Sequence, residues 1–207
     1  MRTNKSGDHN VHCLRCYLRE EICVCLILPT VQTRAEFLIL RHIREDKSTS
    51  NTGRLVALAM PNSRIISCGG GSRIGLSSLD EESLGAPGTY LLWPDGTGVR
   101  SDLLELTPPA RVVVMDATWR QARRLYSRTP VLRSIPQLAL PMPTHRKDRL
   151  RKHHRPDGMS TLEAVAAAVA KLEGIEAAEP LERLYNEVVR RALTLRHGAA
   201  NASLEQE

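Results

Sequence analysis

The sequence predicts an α/β fold, in which a largely parallel sheet is flanked by helices, with a small four-cysteine segment near the N-terminus. The chain has five short apolar runs bounded by polar residues, glycine or proline, as is typical of buried strands. Segments with apolar residues at helical spacing lie between and after these runs. Strands that alternate with helices favour a parallel sheet.

Each predicted strand is short, and most of the predicted helices have a recognisable start or stop. The strands cover residues 35–40, 63–66, 89–93, 110–115 and 137–140. The helices cover residues 51–60, a segment beginning near Trp119, residues 160–174 with a stop at Gly174, and a last segment that begins at Pro180.

The length of the chain indicates one domain with a small addition, since it has 207 residues. We place a polar tail and the four-cysteine segment at residues 1–30, the α/β domain at 31–196 and a loose tail at 197–207. No stretch approaches the roughly 20 apolar residues of a membrane span, and the first ten residues lack the apolar centre of a signal peptide. We therefore expect a cytoplasmic protein without membrane contact, and the sequence indicates no stable protein partner.

The charge of the chain suggests an acidic partner. The formal net charge is +6 and the pI is near 9.3, a balance that suits nucleic acid as the partner. Aromatic residues make up only 3% of the chain, which argues against reading single-stranded RNA by rows of stacked rings.

Four cysteines near the N-terminus form two close pairs in the spacing C-x2-C-x6-C-x-C. The pairs are Cys13 with Cys16 and Cys23 with Cys25, and two such pairs can enclose one ion tetrahedrally. Thiolates suit zinc or an iron and sulfur cluster, and the compact spacing favours a structural zinc with a closed shell. The alternative is a set of buried or redox-active cysteines. Cys68 stands apart and is interpreted as a small buried residue.

Two predicted helix starts carry polar residues that chemistry could use. Asp116 either caps the helix that follows it or serves as a catalytic carboxylate, because Thr118 and Gln121 offer a rival capping box. Ser160 and Glu163 form a second capping box. If both helices follow strands or loops of one parallel sheet, their starts can open on the same edge and form a pocket for a small molecule.

Much of the excess positive charge lies in residues 111–155, which contain only Asp116 and Asp148 as acids. A solvated surface is the usual meaning of a charge run, but one sign over this length favours contact with a phosphate backbone. The basic residues of the stretch are Arg111, Arg120, Arg123, Arg124, Arg128, Arg133, Arg146, Lys147, Arg149, Arg151, Lys152 and Arg155.

The segment DATWRQARRL, which begins at Asp116, resembles the D-x-T-W motif of the DTW-domain family, the tRNA-uridine aminocarboxypropyltransferases. Further segments match that family in order over roughly residues 13–170. They are the paired cysteines, H-x-x-E at His42 and Glu45, NTGRLVAL, LLWPD and STLEA. Several motifs in one order make a more specific match than any single motif.

The resemblance implies a SPOUT-like α/β domain with a knotted C-terminal part. It also implies that S-adenosylmethionine donates its 3-amino-3-carboxypropyl group to N3 of a uridine in tRNA, with release of methylthioadenosine. Asp116 is then the candidate general base, since uridine N3 must lose a proton. The residues expected to bind the donor are Leu92, Trp93, Pro94, Thr118, Trp119, Ser160, Thr161 and Glu163. Those expected to hold tRNA phosphates are Arg120, Arg123, Arg124, Arg149, Arg151 and Lys152.

Two other functions fit part of the pattern. An S-adenosylmethionine-dependent RNA methyltransferase of similar fold would release S-adenosylhomocysteine instead. A non-enzymatic, zinc-bearing RNA-binding protein would account for the cysteines and the basic stretch, but not for the D-x-T-W and S-T-x-E-A segments.

Overall fold

The sheet has five strands, all paired in parallel, in the order β2-β1-β4-β3-β5. The computed structural model describes residues 12–69, 84–93, 110–140, 150 and 158–204, with side chains in the last helix as far as residue 196. Each strand lies where the apolar runs predicted one. The strands are β1 (Glu36–His42), β2 (Ser63–Cys68), β3 (Thr89–Leu92), β4 (Arg111–Asp116) and β5 (Gln137–Leu138).

The described residues contain five α-helices and three short 3-10 turns. Four of the helices correspond to predicted segments, whereas the five-residue α3 had not been predicted. The helices are α1 (Gly53–Ala59), α2 (Trp119–Arg128), α3 (Pro130–Ser134), α4 (Thr161–Glu173) and α5 (Ile175–Leu204). The 3-10 turns cover Glu20–Ile22, Cys25–Ile27 and Ile43–Glu45. Among these described segments, no helix is long and apolar enough to cross a membrane.

The last helix differs from its prediction at both ends. It begins at Ile175 and not at Pro180, which lies inside it. Gly174, with φ of +100°, already separates α4 from α5, and Ala178 in the added turn is buried in the core. The helical backbone also continues to Leu204, past residue 196 at which the predicted α/β domain ends.

The two faces of the sheet support separate hydrophobic clusters. Successive strand residues point to opposite faces, so Val112 and Val114 of β4 join the cluster that contains α1, α4 and α5. Val113 points the other way, into the cluster formed with α2 and α3. The result is a three-layer α/β arrangement in which helices cover both faces of the parallel sheet.

The four-cysteine segment is packed into the main domain. The side chains of Leu18, Ile22 and Val24 are buried in the same cluster as α4 and α5. Arg191 of α5 also donates a hydrogen bond to the backbone carbonyl of Cys23. The sequence predicted a small N-terminal addition, and its apolar side chains extend the core of the α/β domain.

Candidate active site and four-cysteine centre

The carboxyl ends of the parallel strands lie at one edge of the sheet. Residues of three sequence motifs contact one another there: the segment that begins at Asp116, NTGRLVAL and STLEA. β4 ends at Asp116, and Arg41 near the end of β1 is its neighbour in the strand register. α2 follows β4 after two residues, and Thr161 at the start of α4 contacts Asp116. Ligands of open α/β sheets bind in the crevice at this edge.

Asp116 is the centre of a hydrogen-bonded cluster and only 3% of its surface is exposed. One carboxylate oxygen accepts from the Thr161 hydroxyl and the other from the Asn51 side-chain amide, each at 2.6 Å. A Cβ on Gly53 would lie 2.4 Å from the second oxygen, so only glycine fits beside the carboxylate.

A second contact ties the NTG segment to the start of α4. The amide of Leu162 donates to the Thr52 hydroxyl at 3.1 Å, and the Asn51 side-chain carbonyl accepts from the amide of Arg54 at 3.3 Å. Asn51 and Thr52 are buried polar residues that the sequence analysis did not assign to the site. Two adjacent polar residues before a helix-starting glycine were the available signal, although such residues are common in turns.

Thr118 forms the capping box at the start of α2. Its hydroxyl accepts from the amide of Gln121 at 3.4 Å, while its own amide donates to the Gln121 side chain at 2.7 Å. The rival box predicted from the sequence is therefore formed. Thr118 is the N-cap of α2, and the Asp116 carboxylate accepts hydrogen bonds from Asn51 and Thr161.

The start of α4 has the predicted capping box. The Ser160 hydroxyl accepts from the amide of Glu163 at 3.3 Å, and the Glu163 carboxylate accepts from the amide of Ser160 at 2.8 Å. The amide of Leu162 is bonded to Thr52. Three of the amides at this helix start, those of Ser160, Leu162 and Glu163, are thus already engaged, which narrows the ways in which a ligand carboxylate can bind there.

Three aromatic side chains cluster beside this edge, on the face of the sheet that α2 covers. The ring centre of Trp93 lies 5.1 Å from that of Trp119 and 4.8 Å from that of Tyr126. Trp93 is buried and Trp119 half-buried, whereas the Leu92 side chain packs into the opposite cluster. The structure therefore brings Trp93 and Trp119 together but turns Leu92 away, and Pro94 lies outside the described residues.

The exposed face of α2 is strongly basic. Arg120, Arg123 and Arg124 are exposed, and the guanidinium carbon of Arg123 lies 5.7 Å from the centre of the Trp119 ring. The helix has no acidic residue. It presents one sign of charge directly after the Asp116 turn. The other basic residues predicted to contact tRNA, Arg149, Arg151 and Lys152, lie outside the described residues.

The sulfur atoms of the four paired cysteines all lie within 4.8 Å of one another. The Sγ atoms of Cys13 and Cys25 are 3.6 Å apart, and those of Cys16 and Cys23 are 3.7 Å apart. A tetrahedral zinc with bonds of about 2.3 Å requires sulfurs separated by about 3.8 Å. The cluster therefore fits a metal with four thiolate ligands.

His42 and Cys68 end β1 and β2 and are partners in the strand register. Cys68 is fully buried, as predicted, and burial together with the charge of Asp116 raises its pKa to about 11. Burial lowers the pKa of His42, whose Nδ1 accepts from the amide of Arg44 at 3.2 Å.

A three-layer domain with a parallel sheet, and with polar side chains from three segments gathered at its carboxyl edge, has the architecture of the α/β class of proteins. Comparison with protein families identifies it further, since the DTW domain family matches residues 10–193. The chain belongs to the DTW-domain family.

The curated relatives share modest identity with the chain. It is 25% identical over 178 residues to tRNA-uridine aminocarboxypropyltransferase 2 of Mus musculus, covering 81% of this chain and 58% of the mouse protein. It is 27% identical over 167 residues to the Drosophila melanogaster protein of the same name, covering 78% and 66%. It is 28% identical over 136 residues to tRNA-uridine aminocarboxypropyltransferase A of Arabidopsis thaliana, covering 58% and 52%. The matched region thus spans between half and two thirds of these relatives. No solved structure matches the chain significantly.

Proposed function

We propose that the protein transfers the 3-amino-3-carboxypropyl group of S-adenosylmethionine to N3 of a uridine in tRNA. The names of the relatives support this reaction. The observation that carries the proposal is the buried Asp116 carboxylate, held by Asn51 and Thr161 at the carboxyl edge and followed at once by the basic helix α2. That arrangement puts an acceptor for a proton beside a surface for a polyanion.

The reaction needs a base and a defined orientation of the donor. The bond that forms joins uridine N3 to the propyl carbon attached to sulfur, and the bond that breaks joins that carbon to sulfur. The electron pair of the broken bond neutralises the sulfonium, and methylthioadenosine leaves. The N3 proton passes to the base, because neutral uridine is a poor nucleophile. Selectivity against methyl transfer depends on which carbon faces N3.

Asp116 is the proposed general base. A carboxylate has about four acceptor positions, so accepting from Asn51 and Thr161 is compatible with a third partner at the same group. The two donors fix the orientation of the carboxylate before substrate arrives, which is how a proton acceptor is kept at reacting distance.

The donor is proposed to bind between the start of α4 and the aromatic cluster. Because the amides of Leu162 and Glu163 are bonded to Thr52 and Ser160, the donor carboxylate is assigned to the first position of the helix, Thr161. Trp119 is half-buried beside the Asp116 turn and offers a ring face for a nucleobase. Ser160 and Glu163 hold this helix start in place through their capping box.

The exposed arginines of α2 are proposed to hold tRNA phosphates, because phosphate contacts position a nucleic acid without reading its sequence.

The four-cysteine centre is proposed to bind a structural zinc. The SPOUT-like class, the knotted C-terminal part and the cytoplasmic location stay predictions from the sequence.

Product analysis tests the proposed reaction. The purified protein is incubated with tRNA and S-adenosylmethionine, the tRNA is digested to nucleosides, and both products are identified by mass spectrometry. We expect uridine carrying an aminocarboxypropyl group together with methylthioadenosine. Methylated nucleoside with S-adenosylhomocysteine would instead identify a methyltransferase. Binding of tRNA without any product would favour the non-enzymatic RNA-binding protein.

A further inference from the structure

Arg54, in the first turn of α1, lies where the four-cysteine centre and the Asp116 cluster meet. Its guanidinium carbon is 4.7 Å from the centre of the Tyr17 ring, at cation–π distance. Its backbone amide donates to the Asn51 side chain, which in turn donates to Asp116. One residue therefore contacts the cysteine segment with its side chain and the candidate active site with its backbone.

Tyr17 belongs to the turn made by the first cysteine pair. Its amide donates to the carbonyl of Cys13 at 2.8 Å, and the amide of Cys13 donates to the carbonyl of Leu18 at 2.9 Å. The φ of Tyr17 is +61°, a left-handed conformation that a bulky residue adopts only where its surroundings impose it. The position of the ring consequently depends on the closed turn around Cys13 and Cys16.

The Arg54 guanidinium is also held by Asp46. One nitrogen donates to the Asp46 backbone carbonyl at 2.8 Å and to its carboxylate at 3.2 Å. The same carboxylate pairs with Arg41 at 2.6 Å, and Arg41 neighbours Asp116 in the strand register. The guanidinium is thus fixed between the Tyr17 ring and the Asp46 carboxylate, which limits how far the backbone of Arg54 can move.

We propose that Arg54 is a positioning residue that couples the four-cysteine centre to the candidate active site. The closed cysteine turn holds the Tyr17 ring, the ring and Asp46 hold Arg54, and the Arg54 amide orients Asn51 against Asp116. The cysteine centre then has a role in the site in addition to its role in the core. The catalytic meaning of this coupling rests on the proposed function, whereas the coupling itself does not.

Amide hydrogen exchange in the full-length, zinc-loaded protein tests the coupling. We compare Tyr17→Leu, which removes the ring, with Tyr17→Phe, which keeps it, and use the amide of Val113 in the central strand β4 as the reference. Loss of the cation–π contact is expected to speed exchange at the Arg54 and Leu55 amides by about two- to fivefold. The affinity for S-adenosylmethionine is expected to fall by a similar factor. Tyr17→Phe is expected to match the unmodified protein in both measurements.

Retained metal with unchanged exchange in Tyr17→Leu would overturn the coupling. If that variant loses its metal, Arg54→Met is tested instead, because Arg54 lies outside the cysteine segment. This substitution removes the side-chain contacts with both Tyr17 and Asp46. Exchange at Leu55 is then expected to rise by about tenfold with the metal retained, and an unchanged rate would overturn the proposal.

The two proposals fail in different ways. Absence of the modified nucleoside with the unmodified protein would contradict the proposed function and leave the exchange result to decide the coupling. Normal product formation, together with unchanged exchange and donor affinity in both variants, would contradict the coupling alone.

Discussion

At the scale of single residues, the site depends on how the Asp116 carboxylate is held. The side-chain amide of Asn51 donates a hydrogen bond to Asp116, and its side-chain carbonyl accepts one from the backbone amide of Arg54. Thr161 supplies the second donor to the carboxylate. Replacing Asp116 by Asn would leave one side-chain oxygen for two donors, so either the Asn51 amide or the Thr161 hydroxyl proton would lose its acceptor, at a cost of roughly 1–3 kcal/mol.

Exchanging the two side chains separates orientation from catalysis. In the double variant Asn51→Asp with Asp116→Asn, the new Asn amide donates to the new Asp, the Arg54 amide finds a carboxylate, and Thr161 donates to the new Asn carbonyl. We expect the melting temperature and the donor affinity to recover relative to Asp116→Asn, because each hydrogen bond has a counterpart. The rate is expected to stay lower by about 10² or more, since the base has moved.

Single Asp116→Asn and Asn51→Asp variants are the controls for that exchange. Recovery of the rate in the double variant would show that Asp116 orients the site and takes no proton. A loss of donor affinity that accounts for the whole loss of rate would make Asp116 a donor contact instead.

His42 provides a prediction about pH. Burial, together with the nearby Arg44 charge, lowers the pKa of His42 in the folded protein below its ordinary value. The folded state therefore binds fewer protons than the unfolded chain. As a result, the free energy of unfolding decreases as the pH falls below about 6.5. His42→Asn keeps an acceptor for the Arg44 amide but cannot titrate, so its free energy of unfolding is expected to change less with pH in this range. Denaturant titrations at several pH values measure this difference, and parallel curves would contradict it.

At the scale of secondary structure elements, α2 is a described helix with an exposed basic face and no acids, which suits the proposed contact with tRNA. Arg120, Arg123 and Arg124 are exposed on a helix without acids, whereas exposed arginines of α5 are paired with glutamates. Unpaired surface cations release more counterions from a nucleic acid than cations that already have partners. The two helices therefore offer a comparison within one protein.

The salt dependence of tRNA binding tests the role of α2. Replacing Arg123 and Arg124 by Ala is expected to weaken binding and to make the salt slope shallower by roughly one unit or less for each lost phosphate contact. The matched control replaces Arg183 and Arg190 of α5, which pair with Glu179 and Glu187. Equal changes in slope for both double variants would show that only net charge matters.

At the scale of the whole molecule, the four-cysteine segment shares its hydrophobic core with the α/β domain, so we expect the two to unfold together. Leu18, Ile22 and Val24 share a cluster with α4 and α5, and Arg191 reaches the Cys23 carbonyl. Loss of the metal would leave thiols crowded against that cluster, so its effect is expected to extend beyond the N-terminal segment. Metal binding would then contribute directly to the stability of the domain.

Metal analysis and thermal unfolding test whether the four-cysteine segment and the α/β domain unfold together. We expect about one zinc per chain in protein prepared without chelator. Cys25→Ala is expected to lose the metal and to lower the melting temperature of the whole domain in a single transition. Cys68→Ala, which changes a buried cysteine outside the centre, is expected to keep the metal. A separate early transition in Cys25→Ala would show that the segment unfolds independently.

The sequence by itself determined the features that depend on neighbouring residues. The five strands follow from short apolar runs, the capping boxes at Thr118 and Ser160 follow from residues three positions apart, and the cysteine centre follows from pair spacing. These features need no knowledge of how the strands are ordered. Proline is common in the first turn of a helix, so the sequence predicted that the last helix begins at Pro180. This was wrong, because packing of the preceding turn, in which Ala178 is buried, places the start at Ile175.

Only the tertiary structure decided which segments form the site. Asn51 lies 65 residues from Asp116 and Thr161 lies 45 residues from it, and they meet because β1 pairs directly with β4. Leu92 and Trp93 point to opposite faces because successive residues alternate, but only the packing of those faces decides that Leu92 enters one core and that Trp93 lies beside Trp119. Strand order results from how all the apolar faces are buried together, a property of the whole chain that no local spacing encodes.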